Sequence, residues 1–257
     1  MGFDPESGGL TRRHFSRVLA GMTGALAFGG ACYGSQAGSD GRIAARARSH
    51  AKALTPGSHP LGLAKGRDGI IQVPKAAAGA TLPLSVLLHG AGGNATGILR
   101  RLGQSAAEAG VVVLAPDSRD DTWDAIRDDL GPDVLFLTRA LERAFDQLPI
   151  DPARVSIGGF SDGATYALTL GLINGDLFRR IVAFSPGFIV QRTRHGQPKI
   201  FMSHGTGDEV LPIERCSRRL APALQKAGYE VIYREFSGAH TVPPEIAREG
   251  MKWVTEK

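Results

Sequence analysis

The sequence predicts an α/β fold: a mainly parallel sheet of about seven strands, covered by helices on both faces. Three observations point to it. Short apolar or β-branched runs alternate with amphipathic stretches of helical length. The runs at 82–89 (LPLSVLLH) and 111–114 (VVVL) lack the polar alternation of a half-exposed strand, as expected of strands buried on both faces. The chemically able side chains fall directly after such runs, where the carboxyl ends of parallel strands gather functional groups.

Taken in order, 69–74 (GIIQVP) reads as a short strand ended by proline, and 82–89 as the first buried strand. Residues 98–109 have helical spacing, with Leu99, Leu102, Ala106 and Ala109 on one side. Strand 111–114 stops at Ala115-Pro116, and Val134, Leu137, Leu141, Phe145 and Leu148 mark an amphipathic helix over 133–148. A β-branched strand then runs into Gly159-Phe160-Ser161-Asp162-Gly163, followed by small residues suited to a helix over 163–173. Strands at 181–184, 200–203 and 230–236 and helices at 214–227 and 244–254 complete the alternation. Residues 185–198 read as a loop, leaving no room for a large lid.

The chain has 257 residues and a net charge of +5, with a pI near 9.5. The basic surplus is four in 38–66, one in 1–37 and nil in 67–257. The overall basicity therefore gives the main domain no basic face for nucleic acid. Two cysteines, Cys32 and Cys216, make a disulfide framework improbable.

Residues 1–37 have the layout of an export leader: Arg12 and Arg13 before Phe15, an apolar run over 18–31, then small residues. The paired arginines resemble a twin-arginine signal, which predicts a periplasmic or extracellular address. Fourteen residues interrupted by Gly21, Gly24, Gly29 and Gly30 fall short of the roughly 20 that a spanning helix needs. Ser35-Gln36-Ala37 suits cleavage after Ala37, while Gly30-Ala31-Cys32 resembles the end of a lipobox. Lipidation of Cys32 is the one route by which the sequence predicts a membrane tether. Residues 38–66 read as a flexible linker, with the catalytic domain over 67–257.

Ser161 stands between glycines in a strand–turn–helix context, which exposes a nucleophile above a sheet. A serine hydroxyl needs a base within reach and an acid that orients the base. After Ser161 the histidines are His195, His204 and His240, and only His240 follows a strand in the final position. His204 precedes a glycine turn and reads as structural. Asp208, in His204-Gly205-Thr206-Gly207-Asp208, is the candidate acid; Glu209 is its neighbour and rival, and Asp176 reads as a solvated turn residue. The oxyanion would take N–H groups from Asp162 and from His89-Gly90-Ala91-Gly92, with Ala91 preferred over Gly92. Trp123 and Phe188 are candidate pocket residues. No nucleotide-loop Gly-Lys-Ser/Thr follows the Gly90 loop.

Together these four motifs resemble the phospholipase/carboxylesterase branch of the α/β-hydrolases, to which exported polyhydroxyalkanoate depolymerases and feruloyl esterases are similar. The resemblance covers about Ile70 to the C-terminus. It implies a serine esterase acting on a small-molecule or polymeric ester through Ser161, His240 and Asp208, with no metal or organic cofactor. Position 162 departs from the branch, which usually carries Gln where this chain has Asp. That carboxylate must point away from the oxyanion. The alternatives are a peptidase or thioesterase of the same fold, or a catalytically silent binding module. A peptidase would want groups to hold a peptide terminus, and none is assignable. Silent modules commonly lose a triad member, whereas all three candidates are present.

Overall fold

The computed structural model describes residues 40–47, 54–75, 81–127 and 130–256. The expected export leader, including Cys32, lies outside the described residues. Among the described residues, eight strands form one sheet: β1 Gly57–Pro60, β2 Gly69–Val73, β3 Leu82–Leu88, β4 Val112–Pro116, β5 Ile150–Phe160, β6 Arg180–Phe184, β7 Lys199–Gly205 and β8 Val231–Phe236. Their order is β1-β2-β4-β3-β5-β6-β7-β8. The two edge pairings, β1 with β2 and β2 with β4, are antiparallel, and the others are parallel.

Helices α1 (Ala95–Glu108), α2 (Asp124–Arg127), α3 (Pro132–Gln147), α4 (Asp162–Ile173), α5 (Ser217–Lys226) and α6 (Pro244–Trp253) connect the strands. Apolar side chains of α1 and α6 pack on one face of the sheet, around Leu87, Val113, Val182 and Phe201. Those of α3, α4 and α5 pack on the other, around Leu84, Val86, Ile157 and Ile181. This is the covered parallel sheet that unbroken apolar strands require. From Gly163 to Ile173, every residue of α4 is buried, which is why that helix is apolar all round rather than amphipathic.

The helix starts reflect local capping. The Asn94 side chain accepts from the Gly97 N–H at 2.8 Å and starts α1 earlier than its apolar spacing suggests. Residues 213–215 form a 3₁₀ turn, so α5 begins at Ser217 rather than at 214.

The reading of 38–66 as a flexible linker, with the domain starting at 67, is overturned. Ile43 and Ala45 are buried in the core, and β1 extends the sheet by pairing with β2. Arg42 makes a two-pronged ion pair with Asp176, at 2.8 Å for each bond, and Arg46 adds a third at 2.7 Å. The Arg42 hydrogen bond holds the Asp176 carboxyl well below the usual carboxylate range, so Asp176 is an anchor rather than a solvated turn residue. Asn174 receives the Ile43 N–H and donates to the Gly41 carbonyl. Asp68 in turn accepts from the N–H groups of Gly62, Leu63 and Ala64. The segment has no apolar periodicity because it is held by scattered long-range contacts, not by a repeating face.

Candidate active site

β5 ends at Phe160, and α4 begins at Asp162; Ser161 turns the chain between them with φ 58° and ψ −121°. A non-glycine residue in this region costs on the order of 1–3 kcal/mol and persists only where its surroundings enforce it. They do so through the Ser161 N–H, which donates to Phe184 O at 3.0 Å, and through Ser161 O, which accepts the Thr165 N–H at 3.0 Å. The flanking glycines are a steric necessity. A Cβ on Gly159 would lie 2.5 Å from the Gly163 carbonyl, and one on Gly163 would lie 2.2 Å from Leu88 O.

Three strand ends converge here. His240, four residues beyond β8, bonds Ser161 Oγ through Nε2 at 2.9 Å and Asp208 Oδ2 through Nδ1 at 2.6 Å. A carboxylate only accepts, so Nδ1 carries the proton and Nε2 is left to accept from the serine. The Phe160 ring lies against that of His240, with centroids 4.7 Å apart.

The Asp208 carboxylate is saturated with donors. Oδ1 accepts the N–H groups of Val210 and Leu211 at 2.9 and 2.8 Å. Oδ2 receives His240 and, at 3.1 Å, His204 Nε2. Burial opposes the charge, but the bonds from His204, His240 and Leu211 outweigh it and hold Asp208 well below the usual carboxylate range. His204 is fully buried, and its Nε2 also faces Leu211 O at 2.8 Å while Nδ1 meets Ser217 Oγ at 2.7 Å. Two acceptors at Nε2 put the proton there, and Ser217 donates to Nδ1. The structural role expected of His204 is thus a specific one: it braces the acid.

The loop after β3 passes close to the serine, since a Cβ on Gly90 would sit 3.2 Å from Ser161 Cβ. His89 Nδ1 donates to Gly90 O at 2.7 Å and Nε2 accepts the Ser118 N–H at 3.0 Å, a neutral ring. Burial pushes the His89 imidazole below its ordinary range, in keeping with that state. Arg67 straps the loop from outside, bonding Gly93 O at 2.8 Å and Ser118 O at 2.5 Å. The Gly92 N–H donates to Asp121 O at 2.7 Å and the Gly93 N–H to Gly90 O at 3.0 Å. Neither is available to a ligand, which leaves Ala91 as the loop's candidate donor beside Asp162.

Asp162 turns its carboxylate to Thr122, whose hydroxyl donates to Oδ2 at 2.6 Å. Trp123, a pocket candidate by sequence, has no exposed surface. It is fully buried, stacks on Tyr166 at 5.2 Å and donates its indole N–H to His89 O at 2.8 Å. Its place beside a functional loop suggests a lining role, but its N–H instead ties two loops together. Phe188 is 45% exposed and lines a cavity of about 360 Å³ between the 185–198 loop and α5. Sequence reasoning misses Arg67, Thr122 and the bracing role of His204, because their partners are distant in the chain and follow no motif. Among the described residues no group of three or more His, Cys, Asp or Glu side chains could hold a metal.

Residues 136–256 match the Phospholipase/Carboxylesterase family model. The chain is 29% identical over 106 residues to acyl-protein thioesterase 1 of Gibberella zeae, across 37% of this chain and 45% of the relative. It is 27% identical over 112 residues to feruloyl esterase C of Emericella nidulans, across 43% of this chain and 40% of the relative. The matches thus span less than half the length of these curated relatives. The Bacillus cereus carboxylesterase superposes with a TM-score of 0.57 at 20% identity, over 74% of this chain and 94% of that one. The fold is that of the α/β-hydrolases.

Proposed function

We propose that this α/β-hydrolase, similar to the phospholipase/carboxylesterase branch, is a serine hydrolase of carboxylic esters. One observation carries the reading: the continuous hydrogen-bonded line from Ser161 Oγ through His240 to Asp208. In this reading Ser161 attacks the acyl carbon as its proton passes to His240 Nε2, and Asp208 fixes the ring and offsets the charge that develops on it. The N–H groups of Ala91 and Asp162 receive the oxyanion, an arrangement typically worth about 3–4 kcal/mol per donor. The alcohol leaves with the proton from Nε2, and water, deprotonated by the same nitrogen, releases the acid.

The export leader belongs to the same proposal: the paired arginines and short apolar run support a periplasmic or extracellular esterase, tethered only if Cys32 is lipidated. The mature N-terminus, read by mass spectrometry, tests that part.

The activity is tested by a fluorophosphonate probe together with p-nitrophenyl esters. Labelling and turnover are expected in the native chain, with labelling lost in Ser161→Ala and turnover down by several orders of magnitude. Substantial ester hydrolysis by that variant would refute the role given to Ser161. Matched p-nitroanilides are expected to be poor substrates; efficient cleavage of them would favour a peptidase.

A further inference from the structure

The 360 Å³ cavity beside Phe188 is an apolar groove with a basic rim. Phe188, Leu220 and Leu224 supply apolar walls, while Arg194, Arg215 and Arg219 bring three guanidinium groups, and among the described residues no lining side chain is acidic. Among the described residues neither Arg215 nor Arg219 pairs with a carboxylate, whereas their neighbour Arg218 is taken up by Glu214 and Glu235. One lining residue, Gly187, ties the groove to the serine turn. Gly187, at its edge, donates its N–H to Thr165 Oγ1 at 2.8 Å, and the Thr165 N–H bonds Ser161 O. On the other side, a Cβ on Gly187 would lie 3.5 Å from Leu211, whose N–H bonds Asp208. The groove therefore lies between the loop that follows β6, the strand next to the one that delivers the serine, and the 215–224 segment that follows β7.

Resting on the ester-hydrolase reading, we propose that this groove receives a carboxylate carried on an apolar part of the substrate. The chain then prefers esters bearing a free carboxylate over neutral esters of equal length. Unpaired arginines around an apolar trough satisfy such a group at both ends: the walls bury the methylenes, and the guanidinium forks take the carboxylate.

The test compares kcat/KM for mono-p-nitrophenyl adipate and p-nitrophenyl hexanoate in the native chain and in Arg215→Gln/Arg219→Gln. Both arginines are exposed, so the fold is expected to survive, and thermal melting checks this. The adipate-to-hexanoate ratio is expected to fall at least about fivefold in the variant, as one or two exposed charge contacts would supply. It should also shrink with 0.5 M added salt in the native chain alone, on the order of the same factor. An unchanged ratio in the variant overturns the proposal. If the native chain cleaves neither ester, the esterase reading is what fails. Calorimetric binding of decanoate to the native chain then decides for the groove: weaker binding in the double variant supports it, and equal or absent binding overturns it.

Discussion

The Thr122 hydroxyl donates to Asp162 Oδ2 at 2.6 Å and so turns the carboxylate after Ser161 toward the loop that follows β4. Beside a developing oxyanion a free carboxylate would oppose the charge being stabilised, whereas one anchored to Thr122 is held aside while its backbone N–H remains in place. The negative side chain also suits the first turn of α4. Thr122→Val is therefore expected to lower kcat roughly five- to tenfold with little change in KM, a loss confined to the transition state. Adding Asp162→Asn should recover most of it, because the freed group then carries no charge. No recovery in the double variant would show that Thr122 acts elsewhere.

His204 divides its Nε2 proton between Leu211 O and Asp208 Oδ2. His204→Phe would fill the space but leave Ser217 and Leu211 O without their partner in a fully buried site. Each buried polar group left unpaired costs about 1–3 kcal/mol. The expected result is a fall in Tm and a lower kcat, with His204→Gln restoring part of both. Equal Tm values for the native chain and His204→Phe would remove the bracing role.

The glycines about Ser161 differ from Gly92 in a way a pair of substitutions can measure. Gly92 adopts φ +67°, and a Cβ added there would meet nothing within 4 Å, so Gly92→Ala should cost only the left-handed penalty of about 1–2 kcal/mol. Gly163→Ala must push its Cβ against Leu88 O and His89 O, both backbone atoms that hold the oxyanion loop. That variant is expected to lose labelling and much of its stability. Comparable melting temperatures for the two would contradict the packing described for this turn.

The order of the active-site residues is legible in the sequence because it depends on local signals: β-branched runs, glycine turns, and a serine, an aspartate and a histidine each placed after a strand. What escapes is whatever depends on partners far apart in the chain. Trp123 reads as a lining residue because nothing in its neighbourhood announces that its indole bonds His89 O, 34 residues away. The stretch 38–66 reads as a tether because β1 is four residues long and Arg42 finds Asp176 across 134 residues. Composition reports periodic faces well and single long-range clasps poorly.

Asp133 gives a pH test with a defined sign. Burial pushes its carboxyl up to about 6, against the N–H bonds from Arg119 and Asp124. A carboxyl whose folded pKa is raised binds its proton more tightly in the folded state. Its contribution to stability is full below the unfolded value of 3.8 and is lost as pH rises through about 6. Between pH 5 and 7.5 that loss is about 1–2 kcal/mol, or roughly 3–5 °C in Tm for a domain of this size. Asp133→Asn has no such titration. The Tm difference, native minus variant, should be more positive at pH 5 than at pH 7.5, and a difference independent of pH would contradict the burial of an ionisable group there.

The N-terminal clasp separates a tether from a structural element most directly. Ile43 is almost fully buried, and Arg42 and Arg46 converge on one carboxylate. Removal of residues 1–47 would uncover the apolar surface under Ile43 and leave Asp176 and Asn174 without their partners. Losing one large buried aliphatic side chain costs about 2–5 kcal/mol, with the lost ion pairs adding less because they are half exposed. A chain that starts at residue 40 should keep the native Tm, while one that starts at residue 48 should melt several degrees lower, and Asp176→Ala should reproduce part of that fall. A flexible linker predicts equal melting for both truncations. If the proposed leader is cleaved, cleavage after Ala37 keeps Arg42, Ile43 and Arg46 on the mature chain, whereas cleavage beyond 47 removes them. Mass spectrometry of the mature chain, combined with the two melting curves, tests both statements on the same protein.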